Sequence, residues 1–437
     1  MFQTYEDALH WIHARLRLGI KPGLSRMQWM LERLNHPERK INVIHVGGTN
    51  GKGSTVTYLR SVLVESGYQV GTFTSPYIEQ FNERISVNGQ PIPDEAIIEL
   101  VNKIKPLSDE LEGTELGAPT EFEVITTMAF YYFAEKVQLD FVILEVGLGG
   151  RFDCTNVVDP LLSIITSIGM DHVQILGDNL SDIAFEKSGI IKENRPVFTA
   201  VKQEEAFAII QREANKKHSH VYRLGEQFHL NHHDSLEKVE QFAFSMDDIQ
   251  LKDIQIQLLG QHQTENAACA MAALLYLQKN KQIRFNESSL RKGLLDAHWP
   301  GRFEVLHENP MIIIDGAHNR EGMQAFSESI QTRYPDKQIK IIFSALIDKD
   351  LSEMFTILHQ LTDELYVTQF DFPRAATAQQ LQAISGNHSV LVNDNWQETI
   401  DNLLKDTTEN DVIAVTGSLY FISLIRPYIQ SKLKTNI

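Results

Sequence analysis

The chain has 437 residues, 43% hydrophobic and 22% charged, a globular balance that suggests two or three domains with cores of their own. Its net charge of −17 argues against broad contact with nucleic acid, so a polyanionic ligand must be held by local groups. No run approaches the ~18 apolar residues of a membrane span. The acidic start, Met1-Phe2-Gln3-Thr4-Tyr5-Glu6-Asp7, does not read as a signal peptide, and two isolated cysteines (Cys154, Cys269) make a reducing cytoplasm the expected compartment.

Two amphipathic helices are predicted near Tyr5–Arg17 and Leu24–Leu34, separated by the breakers Gly19-Ile20-Lys21-Pro22-Gly23. A strand at Ile41–Val46, a glycine-rich turn and a helix at Lys52–Ser66 follow. Next come a strand at Gln69–Thr74 and a hairpin turning at Asn88-Gly89. Helices at Pro93–Leu111 and Phe122–Val137 precede apolar strands at Asp140–Val146 and Leu161–Thr166. Such alternation implies a parallel sheet covered on both faces. From His218 to Leu259 polar turns separate short strand-like runs, which reads as an antiparallel appendage. Helices near Thr264–Gln278 and Glu287–Asp296 lead to His298-Trp299-Pro300-Gly301, the expected boundary between residues 1–297 and 298–437. Strands near Met311–Ile314, Lys340–Ser344, Glu364–Thr368 and Val412–Thr416 then restart the alternation. The expected architecture is a P-loop-type, doubly wound, mainly parallel α/β domain with a second, smaller Rossmann-like α/β domain.

Between the first strand and its helix lies Gly47-Gly48-Thr49-Asn50-Gly51-Lys52-Gly53-Ser54. Glycines let main-chain N–H groups converge on phosphate oxygens, the helix start adds positive potential, and Lys52 supplies a point charge. Thr49, Asn50, Gly51, Lys52, Gly53 and Ser54 are therefore the candidate nucleotide-binding loop. It departs from the usual pattern because Gly53 separates the lysine from the hydroxyl residue. Glu145 stands near the end of an apolar strand, where a carboxylate needs a partner or a metal, and Mg²⁺ suits hard oxygen ligands beside phosphates. The alternative is a carboxylate capping the glycine-rich turn after it. That turn, Gly147-Leu148-Gly149-Gly150, is a weak dinucleotide match because Phe152 takes the third glycine's place. His232-His233 reads as surface. Asp315 and His318 follow an apolar strand directly, where open sheets bind ligands, although Asp315 could instead cap a helix beginning near Asn319.

The run Gly48-Thr49-Asn50-Gly51-Lys52-Gly53-Ser54 resembles the loop of folylpolyglutamate and dihydrofolate synthases, relatives of the Mur ligases, which usually carry Thr directly after the lysine. Further motifs match in order: Thr74-Ser75-Pro76-Tyr77 with Asn82-Glu83-Arg84-Ile85; Leu144 to Asn156; Met170-Asp171-His172; Glu186-Lys187-Ser188-Gly189-Ile190; Pro300-Gly301-Arg302-Phe303; Asp315-Gly316-Ala317-His318-Asn319; and Thr416-Gly417-Ser418.

The resemblance implies that Ser75, Glu145 and His172 ligate magnesium; with 16 histidines in the chain, His172 rests on its motif. It implies that Asn266, Arg302 and Asp315 contact ATP, that His318 and Ser418 support the reacting end of the substrate, and that Lys187 is carbamylated. Lys187 could otherwise be a surface lysine paired with Glu186 or Asp182. The Gly19–Leu24 loop and Thr120–Glu123, including Phe122, would frame a pterin or folate. Glu123 would accept an aminopyrimidine's paired donors, or would be an exposed first-turn residue. The implied reaction is ATP-dependent ligation of L-glutamate to a tetrahydrofolate carboxylate through an acyl phosphate, with dihydropteroate as a possible second acceptor. Lys52, Lys187, His318 and Asp315 would be the catalytic set, ATP and Mg²⁺ the cofactors, and a cytoplasmic monomer without membrane or nucleic-acid partners the expected state. A cell-wall amino-acid ligase is the alternative within the superfamily. A P-loop GTPase or kinase would need base-recognition or acceptor motifs that are not found, and a non-catalytic nucleotide binder would not need Glu145, His172, Lys187 and His318 together.

Overall fold

Val43, Ile44 and Val46 point apolar side chains to alternate faces, so the Val43–Gly47 strand is covered on both sides and lies deep in the molecule. The computed structural model describes every residue except Ile20, Asp363, Asn387, His388, Asn436 and Ile437. The strand belongs to an eight-stranded sheet. Its order is Gln90–Pro91, Ile85–Val87, Val70–Phe73, Phe141–Glu145, Val43–Gly47, Leu162–Ile165, Val197–Thr199, Val221–Arg223. Pairing is parallel from Val70–Phe73 to Val221–Arg223, and the hairpin makes an antiparallel edge. Asn88 (φ 52°) and Gly89 (φ 80°) both sit in the left-handed region that such a tight hairpin turn requires.

One face of this sheet packs under helices Tyr5–His13, Ser25–Arg33, Asp94–Glu112 and Glu121–Glu135. The other packs against Lys52–Glu65 and the alanine-rich Gln261–Lys279, which is apolar nearly all round and accordingly buried. The same core takes in a three-stranded antiparallel sheet of Phe228–Ser235, Glu240–Met246 and Ile249–Ile256. The expected appendage therefore exists, but its first strand-like run, Val221–Arg223, joins the main sheet instead.

After Gly301 the chain builds a six-stranded sheet, in order Glu304–Glu308, Met311–Ile314, Asp411–Thr416, Gln338–Phe343, Glu364–Gln369, Leu391–Asn395. Only the first pair is antiparallel, and helices cover both faces. In both sheets the carboxyl ends of the parallel strands lead into the segments that carry the candidate site. No helix among the described residues is long and apolar enough to cross a membrane.

Candidate active site

The phosphate loop is shaped by what its glycines must avoid. Gly48 (φ 142°) and Gly51 (φ 85°) adopt conformations that side chains rarely tolerate, and a Cβ would collide with Thr166 Oγ1 at Gly48 and with Asn266 Oδ1 at Gly51. Asn266 thus lies against the loop. Thr49 Oγ1 donates to the Gly169 carbonyl (3.2 Å) and accepts from its amide (3.0 Å), and the Asn50 amide donates to Ser167 Oγ (2.9 Å). Ser54 is buried in the helix's first turn, and Gly53 faces the Trp299 indole.

Two ammonium groups converge on one carbonyl. Lys52 Nζ donates to Gly48 O (3.1 Å) and Thr49 O (3.0 Å), and Lys187 Nζ donates to the same Gly48 O at 3.0 Å. Burial depresses both pKa values; for Lys187, burial and then the neighbouring Lys52 bring it down to about 7. Lys187 is buried in the last turn of Leu180–Ser188, so it is not a surface lysine paired with Glu186 or Asp182.

Glu145 is buried at the end of its strand, and its Oε2 accepts from the Ser75 amide at 3.2 Å. Burial pushes its carboxyl pKa up, opposed by Lys52, that amide and Arg302. Asp153 holds the glycine-rich turn through the amides of Leu148 and Thr155 (both 2.9 Å), so Glu145 is not its cap. The structure brings Ser75 and Glu145 together. His172 instead lies beside Asp171 (3.8 Å) and feels Lys349, Lys187 and Lys52. No group of three His, Cys, Asp or Glu side chains among the described residues has metal-ligand spacing. The hard oxygens of Ser75 and Glu145 do suit Mg²⁺, and a buried carboxyl pushed upward is one that a cation would stabilise.

The facing wall comes from residues 301–349. Asp315 does not cap the next helix, because Asn319 does so by accepting from the Gly322 amide (2.8 Å). Asp315 accepts from the amides of Phe303 and Ala317 (both 2.7 Å), while burial raises its pKa against the pull of Arg302. Arg302 is half-buried and acts electrostatically on Asp315, Glu145 and Lys52, spanning the cleft. His318 Nδ1 lies 2.7 Å from Gly316 O, which can only accept; Nδ1 therefore carries the proton, and Nε2 faces Asp171 at 3.8 Å. Burial lowers the His318 pKa to about 4, leaving the ring neutral. Burial pulls Asp171 upward, but Lys349 (2.6 Å), His318 and His172 bring it well below the carboxylate range. Asn50 and Asn319 exchange reciprocal amide hydrogen bonds at 3.0 Å. Asp171 and Asn319 lay inside recognised motifs without being singled out, and Lys349 carried no sequence signal.

Phe122 packs over Gly147, where a Cβ would collide with its ring, and 5.7 Å from the Phe73 ring. Thr120 and Glu123 hold each other at the start of the Glu121–Glu135 helix. Thr120 Oγ1 accepts from the Glu123 amide (3.3 Å), Glu123 Oε2 accepts from the Thr120 amide (2.7 Å), and Arg26 Nε reaches both carboxylate oxygens (2.8 and 3.0 Å). Nor is Glu123 exposed; it is almost wholly buried. In the Gly19–Leu24 loop, Ile20 lies outside the described residues. Ser418 is buried and its Oγ accepts from the Tyr420 amide, at the start of Leu419–Thr435. His233 is not simply surface, since its Nε2 pairs with the buried Glu240 at 2.8 Å.

Residues 46–274 match the Mur ligase middle domain, and residues 301–419 the Mur ligase glutamate ligase domain. A dihydrofolate synthase/folylpolyglutamate synthase of Bacillus subtilis (strain 168) is 48% identical over 430 residues, spanning 98% of this chain and 99% of that one. The Mycobacterium tuberculosis folylpolyglutamate synthase complexed with ADP superimposes with a TM-score of 0.90 at 27% identity, covering 97% of this chain and 98% of that one. An FPGS-AMPPCP-folate complex gives 0.87 at 31%, covering 98% and 100%. Together with the glycine loop, the buried Glu145 and the facing Asp315–His318 segment, these matches place the chain in the dihydrofolate synthase/folylpolyglutamate synthase family of the Mur ligase superfamily.

Proposed function

We propose that this protein is an ATP-dependent ligase that adds L-glutamate to the carboxylate of tetrahydrofolate, and that dihydropteroate is a second acceptor. The observation that carries the reading is the gathering of Lys52, Arg302 and Glu145 on a glycine loop between two sheets, in a chain whose relatives are named for these activities. Related complexes with ADP and with AMPPCP plus folate support a cleft holding nucleotide and acceptor.

An acceptor carboxylate oxygen attacks the γ-phosphorus, the bond to the bridging oxygen breaks, and ADP leaves. The amine of glutamate then attacks the acyl carbon, phosphate departs, and the nitrogen loses a proton. The protein's part is positioning and charge stabilisation. In the loop from Thr49 to Ser54 the amides of Gly51 to Ser54 are free to meet the phosphates, since those of Thr49 and Asn50 donate to Ser167. Lys52 and Arg302 hold the phosphates with them, and Asn266 and Asp315 lie on the nucleotide. Mg²⁺ held by Ser75 and Glu145 would supply charge neutralisation, and His172, which lies beside Asp171, would have to swing toward them to complete the set. His318, neutral and with Nε2 unprotonated, and Ser418 support the end of the acceptor where the amine arrives. Phe122 presents an aromatic face to the pterin, with Thr120 and Glu123 fixing its helix. Lys187, whose depressed pKa exposes the neutral amine that CO₂ requires, is read as a carbamate. We take residues 1–297 and 298–437 as the two domains and the enzyme as a cytoplasmic monomer.

Side-by-side assays decide the reading. Glutamate-dependent ATP turnover is expected with tetrahydrofolate and with dihydropteroate, and none with a UDP-linked peptide. Turnover with the peptide alone would favour a cell-wall ligase, and turnover with tetrahydrofolate but not dihydropteroate would make the enzyme monofunctional.

A further inference from the structure

Gly53 stands where the phosphate-loop pattern places a hydroxyl residue, and the backbone does not require glycine there. It lies inside the helix Lys52–Glu65 without the left-handed φ of Gly48 and Gly51. Glycine weakens a helix relative to alanine, so something else must exclude a side chain. That something is Trp299: a Cβ on Gly53 would lie 2.8 Å from its Nε1, 2.9 Å from Cε2 and 3.0 Å from Cζ2. The indole edge rests on the first turn of the helix and packs against the core beneath.

Trp299 opens the segment that carries Arg302. Gly301 (φ 70°) and Phe303 (φ 43°) flank Arg302 in the left-handed region, a costly conformation for phenylalanine that must be held from outside. The holding groups are visible. Gly301 O accepts from the Gly316 amide at 2.9 Å, the Gly301 amide donates to Glu304 Oε2 at 2.8 Å, and the Phe303 amide donates to Asp315 Oδ2 at 2.7 Å. Gly316 leaves room for the Leu419 side chain, which a Cβ there would overlap, and for the guanidinium, whose Nη1 would be 2.6 Å from it. Residues 299–303 thus form a strap, seated on Gly53 at one end and on Gly316 and Asp315 at the other. Three residues extended span at most about 11 Å, so the indole's seat limits how far Arg302 can sit from the loop.

We infer that Trp299 is a positioning residue for phosphoryl transfer, that its indole seated on Gly53 sets the reach of Arg302 to the nucleotide phosphates, and that residue 53 is glycine to admit it. The inference rests on the reading of Arg302 as a phosphate contact, and the experiment separates the two. Steady-state kinetics with ATP, glutamate and tetrahydrofolate would be run on the full chain and on Trp299→Ala, Trp299→Phe, Arg302→Ala and the Trp299→Ala/Arg302→Ala pair, with melting curves confirming folding. A misplacement of about 1 Å costs about 10²-fold, so Trp299→Ala should lose about that much kcat while the KM for tetrahydrofolate stays put. Trp299→Phe should recover most of the rate, and the double variant should be no slower than Arg302→Ala alone. In the same way Gly53→Ala should be slow, and Gly53→Ala/Trp299→Ala no slower than Trp299→Ala. Losses that multiply in the Trp299/Arg302 pair would overturn this inference alone. A normal kcat and ATP KM in Arg302→Ala would overturn the reading beneath it as well. If Gly53→Ala does not fold, the Trp299/Arg302 pair still decides.

Discussion

On the wall formed by residues 47–54 and 166–169, close-fitting glycines and short bonds between neighbouring loops of one sheet fix the geometry; on the facing wall, residues 301–349, side chains reach across the cleft. Thr49 and Asn50 are tied to Ser167 and Gly169 within a single sheet. Lys349 and Asn319 find Asp171 and Asn50 only because the second sheet lies over the first. The first wall is therefore set by folding and the second by closure. A substitution on the first should abolish chemistry without disturbing the relation of the two halves, whereas one on the second should weaken the closed form.

The largest effect is expected at Glu145. Glu145→Gln keeps the shape and can still accept from the Ser75 amide, but it removes the charge that would hold a cation beside the phosphates. Loss of one preorganised electrostatic group costs about 10²–10³-fold in kcat. ATP turnover should fall at least that far at saturating Mg²⁺, with an unchanged circular dichroism spectrum. Near-normal turnover would sink the metal assignment.

Lys187→Ala should come close behind, and formate or acetate should restore part of the activity by filling the vacated space. The charge state gives an independent check. With a pKa of about 7 in the folded protein, the amine is mostly protonated below that value and mostly neutral above it. Carbamate formation consumes the neutral amine, so ¹³C-bicarbonate labelling of Lys187 should rise as pH climbs through about 7. An unshifted lysine would begin to load only toward about 10.4. Intact mass showing free lysine at every pH, together with an active Lys187→Ala, would end the idea.

The facing wall is tested at Asp171. Removing one partner of a buried ion pair costs about 3–5 kcal/mol, because the other charge stays buried without compensation. Asp171→Asn leaves Lys349 in that position only when the halves are closed. If only the lower end of that cost falls on the closed form, the variant's kcat should drop by about 10²-fold. Scattering should report a larger radius of gyration, and thermal melting of the halves should change little. Lys349→Met should behave alike, and the double variant should be no worse than either. An unchanged radius of gyration with a lowered melting point would instead make the pair a folding contact.

This contrast also explains what could be read from the chain alone. The phosphate loop is a contiguous run whose glycines and lysine carry their chemistry locally, and the buried Glu145 betrays itself by standing in an apolar strand. Asp171 and Lys349 are 178 residues apart and meet only through the docking of two sheets, which no local pattern encodes. Leu391–Asn395 and Glu304–Glu308 are edge strands, the first largely exposed and the second half-buried, with no clean apolar alternation to announce them, and Val221–Arg223 joins a different sheet from the expected one because a short strand does not reveal its partner. Glu123 shows the opposite case. Its spacing from Thr120 is that of a capping box, a structural role that local pattern does encode.

The smallest predicted effect follows from that box. Thr120→Ala removes the hydroxyl that accepts from the Glu123 amide at the start of Glu121–Glu135, yet leaves the 2.7 Å bond from the Thr120 amide to Glu123 and the Arg26 pair intact. Loss of such a cap costs about 1 kcal/mol, and in a domain of this size that moves the melting midpoint by about 2 °C. Phe122 sits on the same first turn, held between Gly147 and Phe73, so its ring should keep its place. The KM for tetrahydrofolate should therefore stay unchanged while the midpoint falls. A raised KM at an unchanged midpoint would return Thr120 to the acceptor pocket and make the cap incidental.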